Sequence, residues 1–123
     1  GGMLTANALR AADETIVTVD TGFFALYGVS QLIEFIHDTP GNAGTPARVR
    51  ALVTQFDRRT AFAREVLEDL NAYFGDALFS TVIHTNVKLK EASSYGVPVV
   101  DYDPAARGSR DYMALAKEVL AEC

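Results

Sequence analysis

Two short polar stretches contain the residue types best suited to bind a ligand. They are Thr54-Gln55-Phe56-Asp57 and His84-Thr85-Asn86, and each stands at the end of an apolar, β-branched run typical of a strand. Ligands of open α/β sheets bind at the carboxyl ends of parallel strands, which is where both stretches fall. The amide of Asn86 can both donate and accept hydrogen bonds, and the ring of Phe56 can stack on a planar group. The sequence therefore predicts a binding site at this edge of a sheet.

Simpler structural roles are also open for these residues. Asn86 could cap a helix that begins at Val87, and Asp57 could be a turn or cap residue. His84 has no Cys or carboxylate beside it at metal-ligand spacing, which favours a structural role. No Ser/His/Asp or Cys/His arrangement stands in a convincing context, so we predict neither a catalytic residue nor a metal site.

Basic residues follow both stretches: Arg58, Arg59, Lys88 and Lys90. Together they could form a patch for the phosphates of DNA, which Arg107 and Arg110 would extend. The alternative is two solvated loop ends. The net charge of −5 favours this alternative, because non-specific DNA binding usually relies on a basic surface.

The composition is that of an ordinary globular domain. Hydrophobic residues make up 49% of the 123 residues and charged residues 22%, a balance that disfavours disorder. No apolar run approaches the roughly 18 residues of a membrane span, and no signal peptide is visible. The single cysteine, Cys123, cannot form an internal disulfide. These features lead us to expect a cytoplasmic protein.

Apolar runs alternate with amphipathic stretches along the chain. We predict strands at Thr15–Val19, Val49–Phe56 and Leu78–Ile83, and a brief fourth extended piece at Pro98–Val100. The predicted helices are Leu4–Ala11, Val29–Ile36, a helix between an N-cap at Thr60 and a stop at Gly75, Val87–Tyr95, and one from about Ser109. The residues predicted to face inward are Phe62, Val66, Leu70, Tyr73 and Phe74 in the third helix, and Tyr112, Leu115, Ala116, Val119 and Leu120 in the last.

This alternation predicts an α/β fold with right-handed βαβ crossovers and a parallel sheet. About three strands make a narrow sheet, and its first strand would leave an apolar edge. We therefore expect residues 1–123 to form a single, partial domain. The rest of the protein, or a second copy of the chain, would cover the edge.

Six segments carry a family resemblance: Leu4–Glu14, Ile16–Gly28, Thr54–Thr60, Ile83–Ala92, Tyr95–Val99 and Tyr102–Gly108. In this order they resemble the C-terminal half of ParA/MinD-type partitioning ATPases. Thr54–Thr60 is similar to the family's Thr-Met-Tyr-Asp-x-Arg-Thr, and Ile83–Ala92 to its Ile-Pro-Arg-Asn-Val-x-Leu-x-Glu-Ala. The resemblance covers nearly the whole chain and implies part of a P-loop NTPase fold, without its N-terminal phosphate-binding half.

The resemblance also implies functional roles. The two polar stretches would line an adenine pocket, and the Phe23-Phe24 pair, otherwise a core pair, would lie near a dimer face. The intact family uses ATP and Mg²⁺ and positions a chromosome, plasmid or other cargo. Implied partners are a second copy in a homodimer, a ParB-like activator and non-specific DNA. A stand-alone oligomeric interaction module without nucleotide chemistry is the alternative.

This sequence departs from the family pattern at its two polar stretches and lacks the phosphate-binding signature. His84-Thr85 replaces the family's Pro-Arg, and Gln55-Phe56 replaces its Met-Tyr. None of the three lysines follows a glycine, so no glycine-rich Gly-Lys loop is present. Because phosphoryl transfer depends on that loop and on Mg²⁺ ligands, we expect this chain alone neither to hydrolyse ATP nor to bind it tightly.

Overall fold

A computed structural model describes residues 2–23, 26–42, 44 and 48–122 of the chain. Three parallel strands form one open sheet in the order β1-β2-β3, with β1 at Glu14–Asp20, β2 at Arg48–Phe56 and β3 at Leu78–His84. The ladder between β1 and β2 is regular, whereas two register shifts interrupt the ladder between β2 and β3. The three predicted strands and their parallel arrangement are confirmed.

Helices connect and cover the strands: α1 Met3–Ala11, α2 Leu26–His37, α3 Ala61–Phe74, α4 Val87–Ser94, α5 Val99–Tyr102 and α6 Arg107–Leu120, with short 3₁₀ turns at Thr21–Phe23 and Gly75–Ala77. The predicted signals at both ends of α3 are confirmed. The hydroxyl of Thr60 accepts a hydrogen bond from the backbone N–H of Ala63 at 3.2 Å, and Gly75 ends the helix with φ +55°.

The predicted fourth extended piece at Pro98–Val100 is wrong. Val99–Tyr102 forms one helical turn, in which the N–H groups of Asp101 and Tyr102 donate to the carbonyl of Pro98 at 3.0 and 2.9 Å. The β-branched residues there have no strand to pair with, because α6 lies along the outer edge of β3. Proline directly before the first turn is compatible with a helix start.

The apolar core lies on both faces of the sheet. Val17, Val53 and Leu70 belong to the larger cluster, to which β1, β2, α2 and α3 contribute. A smaller cluster on α6's side contains Phe79 and Ile83 and packs against Leu89, Leu115 and Val119. The sheet is thus covered on both sides where β2 and β3 run, as predicted for a parallel sheet.

The predicted inward faces of two helices need correction. In α3, Ala63 is buried with Val66 and Leu70, whereas Phe62 is 58% exposed and Tyr73 43% exposed. In α6, Tyr112, Ala116 and Leu120 are exposed, while Asp111 is buried and Glu118 contacts the sheet. Carboxylates replace apolar groups on this face because β3 is an edge strand whose N–H groups need acceptors.

The expectations for the Phe23-Phe24 pair and for Cys123 cannot be compared with the fold. Phe24, the side chain of Phe23 and Cys123 lie outside the described residues. Within the part of the chain that is described, no helix has the length and apolar character needed to cross a membrane.

Candidate ligand-binding edge of the sheet

The structure brings the two predicted polar stretches together. Phe56 at the end of β2 pairs with His84 at the end of β3, and the backbone N–H of Thr85 donates to the carbonyl of Phe56 at 3.1 Å. The residues that follow both strands therefore lie at one edge of the sheet, where ligands of this fold class bind. Two neighbouring pockets open at this edge, and His84 and Thr85 line both.

An unusual backbone conformation ties the end of β1 to this edge. Gln55 has φ +55°, the one non-glycine residue with positive φ among the described residues. Its carbonyl accepts a 2.9 Å hydrogen bond from the hydroxyl of Thr21, which is 3% exposed. Such strain persists where the surroundings enforce it, and it is concentrated at ligand sites. Thr21 was missed by sequence reasoning, although its position just after the first strand was a usable signal.

The first pocket, here called the Asn86 pocket, has a volume of about 200 Å³. It is lined by Thr54, Gln55, Ile83, His84, Thr85, Asn86, Val87, Leu89, Lys90 and Tyr112. The Oδ1 atom of Asn86 accepts a hydrogen bond from the backbone N–H of Lys88 at 3.1 Å, which confirms the predicted cap of α4. Among the described residues, none accepts a hydrogen bond from its side-chain NH₂ group. The cap therefore leaves the donor side of the amide available to a ligand.

The second pocket, here called the arginine cleft, has a volume of about 440 Å³ and is more polar. It is lined by Phe56, Asp57, Arg58, Arg59, His84, Thr85, Arg107 and Arg110. Of the basic residues predicted for a DNA patch, Arg58 and Arg59 thus lie together with Arg107 and Arg110, which were expected to extend it. Lys90 lines the Asn86 pocket instead, and Lys88 pairs with Glu91 at 3.3 Å. The hydrogen bond and charge of Glu91 raise the pKa of Lys88.

Asp57 has the predicted role of a turn residue. Its Oδ1 atom accepts hydrogen bonds from the backbone N–H and the Nε of Arg59 at 3.1 and 3.0 Å, and its Oδ2 accepts from Nη2 at 3.0 Å. The side-chain hydrogen bonds from Arg59, followed by the backbone one, lower the pKa of Asp57 to about 2. The carboxylate is therefore ionised at neutral pH and partly compensates the positive charge of the cleft.

Phe56 lies on the arginine cleft and not on the Asn86 pocket. Its side chain belongs to the larger core cluster and is 7% exposed, and its ring meets that of His84 edge-on with the centroids 5.5 Å apart. Little of the ring face is left for a planar ligand. Stacking of Phe56 on an adenine ring stays a prediction, and the geometry gives the ring a packing role beside His84.

His84 is the centre of a polar cluster that sequence reasoning missed. Asp111 Oδ2 accepts from the backbone N–H of His84 at 2.9 Å and lies 3.1 Å from its Nδ1. Arg107 places Nη2 3.0 Å from His84 Nε2 and donates from Nε to Asp111 Oδ1 at 3.2 Å. The only sequence signal was the spacing of Arg107 and Asp111, which places an Arg and an Asp one helical turn apart. Their partner is 27 residues away from Asp111 along the chain.

The described part of the chain contains no cluster of three or more His, Cys, Asp or Glu side chains able to hold a metal ion. The Asn86 pocket combines one free amide donor with apolar walls, and the arginine cleft offers guanidinium groups to an anion.

Comparison with known proteins finds sequence similarity to curated chromosome-partitioning proteins. The chain is 40% identical over 121 residues to the sporulation initiation inhibitor protein Soj of Bacillus subtilis, covering 98% of this chain and 48% of that protein. It is 38% identical over 121 residues to the chromosome-partitioning ATPase Soj of Treponema pallidum. It is 39% identical over 120 residues to the chromosome partitioning protein ParA of Caulobacter vibrioides, covering 97% of this chain and 45% of that one. No protein-family model matches the sequence. The chain thus spans about half the length of the curated relatives it matches.

Proposed function

We propose that this chain, a ParA/Soj-type sequence spanning about half the length of its relatives, is the base-binding part of a ParA-like ATPase that positions a chromosome, plasmid or other cargo. The supporting observation is the Asn86 pocket, where the oxygen of the amide caps α4 while its NH₂ group stays available. In this proposal residues 1–123 form one partial domain, the C-terminal half of the ATPase. The phosphate-binding loop belongs to the remainder of the protein.

The chemistry of the Asn86 pocket suits an adenine ring. Adenine presents a ring nitrogen that accepts and an exocyclic amine that donates, an edge that Asn amides pair with in other settings. The NH₂ group of Asn86 supplies the donor, and Ile83, Leu89 and Tyr112 supply walls for the ring. The carbonyl of Gln55 is already engaged by Thr21, which fixes the backbone at the pocket's other side. Recognition of a base therefore needs little rearrangement of the chain.

A titration with adenosine tests this proposal without relying on phosphate contacts. We expect amide chemical shifts of residues lining the Asn86 pocket to respond to adenosine more strongly than to guanosine. The matched variants are Asn86→Asp, which keeps an oxygen to cap α4 but loses the NH₂ donor, and Asn86→Ala, which loses both. Base contact predicts that Asn86→Asp weakens adenosine binding about tenfold while the helix stays folded. Equal binding by wild type and Asn86→Asp would leave the amide with a capping role only.

We expect no turnover from this chain alone, because the ATP phosphates have no glycine-rich lysine loop to hold them. ATP and Mg²⁺ are mixed with the purified chain and the release of phosphate is followed. Turnover that disappears on substituting a residue of the chain would contradict the proposal.

The reading frame upstream of Gly1 distinguishes a ParA-like ATPase from a stand-alone interaction module. A Gly-rich Lys-Thr loop there supports the ATPase, and a stop codon supports a stand-alone interaction module.

The arginine cleft supports a second role, contact with the phosphates of DNA. Arg58, Arg107 and Arg110 line one concave surface, an arrangement that positions a phosphate backbone without reading sequence. We expect the double variant Arg58→Glu/Arg110→Glu to weaken duplex binding and to reduce the salt dependence by about one counterion per lost contact. The control is Arg10→Glu/Lys117→Glu, which makes the same change in net charge at two exposed residues outside the cleft. Equal losses in both pairs would assign the effect to net charge.

The remaining expectations belong to the intact protein. We propose that it is cytoplasmic, acts as a homodimer and responds to a ParB-like activator. Self-association of the chain is the part of this proposal that can be tested directly, because β1 lies at the end of the sheet and pairs on one side only among the described residues.

A further inference from the structure

We infer that His84 is a positioning residue for Arg107: neutral His84 holds the Arg107 guanidinium against α6, and protonation of His84 releases it to an anion in the arginine cleft. The inference rests on the proposed use of that cleft for phosphate groups. It adds a proton-dependent control that neither the Asn86 pocket nor the exposed arginines of the cleft supply.

The hydrogen-bonding geometry fixes the tautomer of His84. A guanidinium has only donors, so Nε2 of His84, which lies 3.0 Å from Arg107 Nη2, must be the acceptor. The proton of the neutral ring is then on Nδ1, where it is donated to Asp111 Oδ2 at 3.1 Å. Asp111 completes the ring of contacts by accepting from Arg107 Nε at 3.2 Å. Arg107 is thus held at two points, one of which exists only while His84 is neutral.

Protonation of His84 removes one of those two points. Both ring nitrogens then carry a proton, so Nε2–H and the Nη2–H of Arg107 face each other as two donors. The contact between imidazolium and guanidinium becomes repulsive, while that between the imidazolium and Asp111 becomes an ion pair. The Arg107 side chain is 35% exposed, which leaves its guanidinium room to turn into the cleft that it lines. The cleft also gains one positive charge.

Few other groups near His84 could change the charge of the cleft over the same pH range. Those that face it or share its pockets are Arg107, Arg110 and Asp111 on the cleft side of α6, Asp57, Arg58 and Arg59 after β2, and Lys90 and Tyr112 on the Asn86 pocket. Arginine stays protonated throughout the accessible pH range. Asp57, with a pKa of about 2, stays ionised above about pH 5. Histidine is the residue type whose charge ordinarily changes between about pH 5 and 8.

The test is the binding of sulfate to the chain at about pH 8 and about pH 5.5, measured calorimetrically at constant ionic strength, since sulfate keeps its charge across this range. We expect wild type to bind sulfate about fivefold more tightly at the lower pH, the size expected for one added charge near the anion. His84→Gln is the informative variant, because its amide can donate to Asp111 and accept from Arg107 without titrating. We expect its sulfate affinity to change less than about twofold with pH.

A second variant and a spectroscopic measurement complete the test. His37→Gln, at the other histidine of the chain, should keep the wild-type pH response. Long-range ¹H–¹⁵N spectra at about pH 8 should show the Nδ1–H tautomer for the ring signal that His84→Gln removes. An Nε2–H tautomer, or a pH response of His84→Gln equal to that of wild type, overturns the positioning role while leaving the cleft an anion site. Sulfate binding that is absent, or unaffected by Arg58→Glu, overturns the phosphate cleft and the inference with it.

Discussion

The turn after β2 shows how single residues set the position of the arginine cleft. The carboxylate of Asp57 accepts hydrogen bonds from the backbone and side chain of Arg59, and its carbonyl accepts from both the N–H and the hydroxyl of Thr60 at 3.1 and 3.0 Å. Thr60 in turn caps α3. One short turn therefore ends a strand, starts a helix and orients a guanidinium toward the cleft.

The low pKa of Asp57 makes this turn sensitive to acid. Because its folded-state pKa of about 2 lies below the ordinary value of about 3.9, its contribution to stability is complete above the ordinary value and is lost as the pH falls through about 2. We expect the side-chain carboxyl carbon of Asp57 to titrate with a midpoint near 2 in NMR spectra. Arg59→Gln should raise that midpoint toward the ordinary value, since the hydrogen bonds of Arg59 are its main cause. Arg58→Gln is the control and should keep the wild-type midpoint. A midpoint near about 3.9 in the wild type would contradict the hydrogen bonding between Asp57 and Arg59.

Local side-chain roles were predictable from sequence where the partners are neighbours. The caps at Thr60 and Asn86 and the turn at Asp57 all involve backbone groups within three residues, so spacing alone indicates them. The cluster around His84 was not predictable, because Asp111 is distant in sequence and reaches His84 only after α6 has packed on β3. The two-pocket division of the site was also missed, although Arg107 and Arg110 were expected to join Arg58 and Arg59, as they do in the arginine cleft.

At the scale of elements, α6 acts as a cover for the outer edge of β3. The carboxylate of Glu118 accepts from the backbone N–H groups of Ser80 and Thr81 at 2.8 and 2.9 Å and from the hydroxyl of Thr81 at 2.8 Å. Glu118 also pairs with Arg50 of β2, a 5% exposed cation whose guanidinium lies 3.8 Å from the ring centroid of Phe79. Side chains of α6 thus take the place that a fourth strand would occupy.

Glu118 should accordingly be the residue on which the docking of α6 depends. Burial raises its pKa, but the hydrogen bonds from Ser80 and Thr81 and the charge of Arg50 outweigh burial, so the pKa is lowered overall. We expect Glu118→Ala to lower the free energy of unfolding by about 2 kcal/mol, because it removes the acceptor of both N–H groups and of the Thr81 hydroxyl, while Arg50 keeps its ion pair with Glu122. Glu118→Gln, which keeps one acceptor, should lose about half as much. Urea denaturation measures both.

The pH dependence of the same variants separates charge from packing. Since the folded-state pKa of Glu118 is depressed, wild type should lose the ionised contact as the pH falls from the ordinary value of about 4.3 through the lower folded value. The stability difference between wild type and Glu118→Gln should therefore shrink in acid. A difference that stays constant with pH would mean that the shape of the side chain, and not its charge, holds α6.

The order of helices and strands could be predicted from the sequence because their hydrophobic periods differ and because caps mark their ends. The orientation of α6 could not be predicted from its hydrophobic period. Its apolar residues alone predicted an inward face containing Tyr112 and Leu120, which are 40% and 68% exposed. Carboxylates at an edge strand override that pattern, since they satisfy backbone donors that an apolar side chain cannot. The hydrogen-bond acceptors that an adjacent edge strand requires cannot be inferred from the hydrophobic period of a single helix.

At the scale of the whole molecule, one group of exposed apolar side chains surrounds the first strand. The exposed large apolar residues of the N-terminal third are Met3, Leu4, Ile16, Leu26, Tyr27, Leu32 and Phe35, around the outer edge of β1 and the helices beside it. A hollow lined by Leu9, Ile16, Leu32 and Ile36, among others, opens there. The opposite edge, at β3, is covered by α6. The sequence predicted an uncovered first strand, and the structure places that strand at the end of the sheet.

Unpaired edge strands with apolar neighbours associate with other strands, so this side should govern the oligomeric state of the chain. In sedimentation equilibrium we expect mass to increase with concentration for wild type and to stay at the monomer value for Ile16→Lys. Ile16 is 46% exposed in the middle of β1, so a lysine there has room in the monomer but opposes an apolar contact. Ala114→Lys, at an exposed position of α6, adds the same charge away from β1 and should associate like wild type. A wild-type chain that remains monomeric at high concentration would show that the edge is not self-complementary. Association that both variants retain would place the contact between copies elsewhere on the molecule.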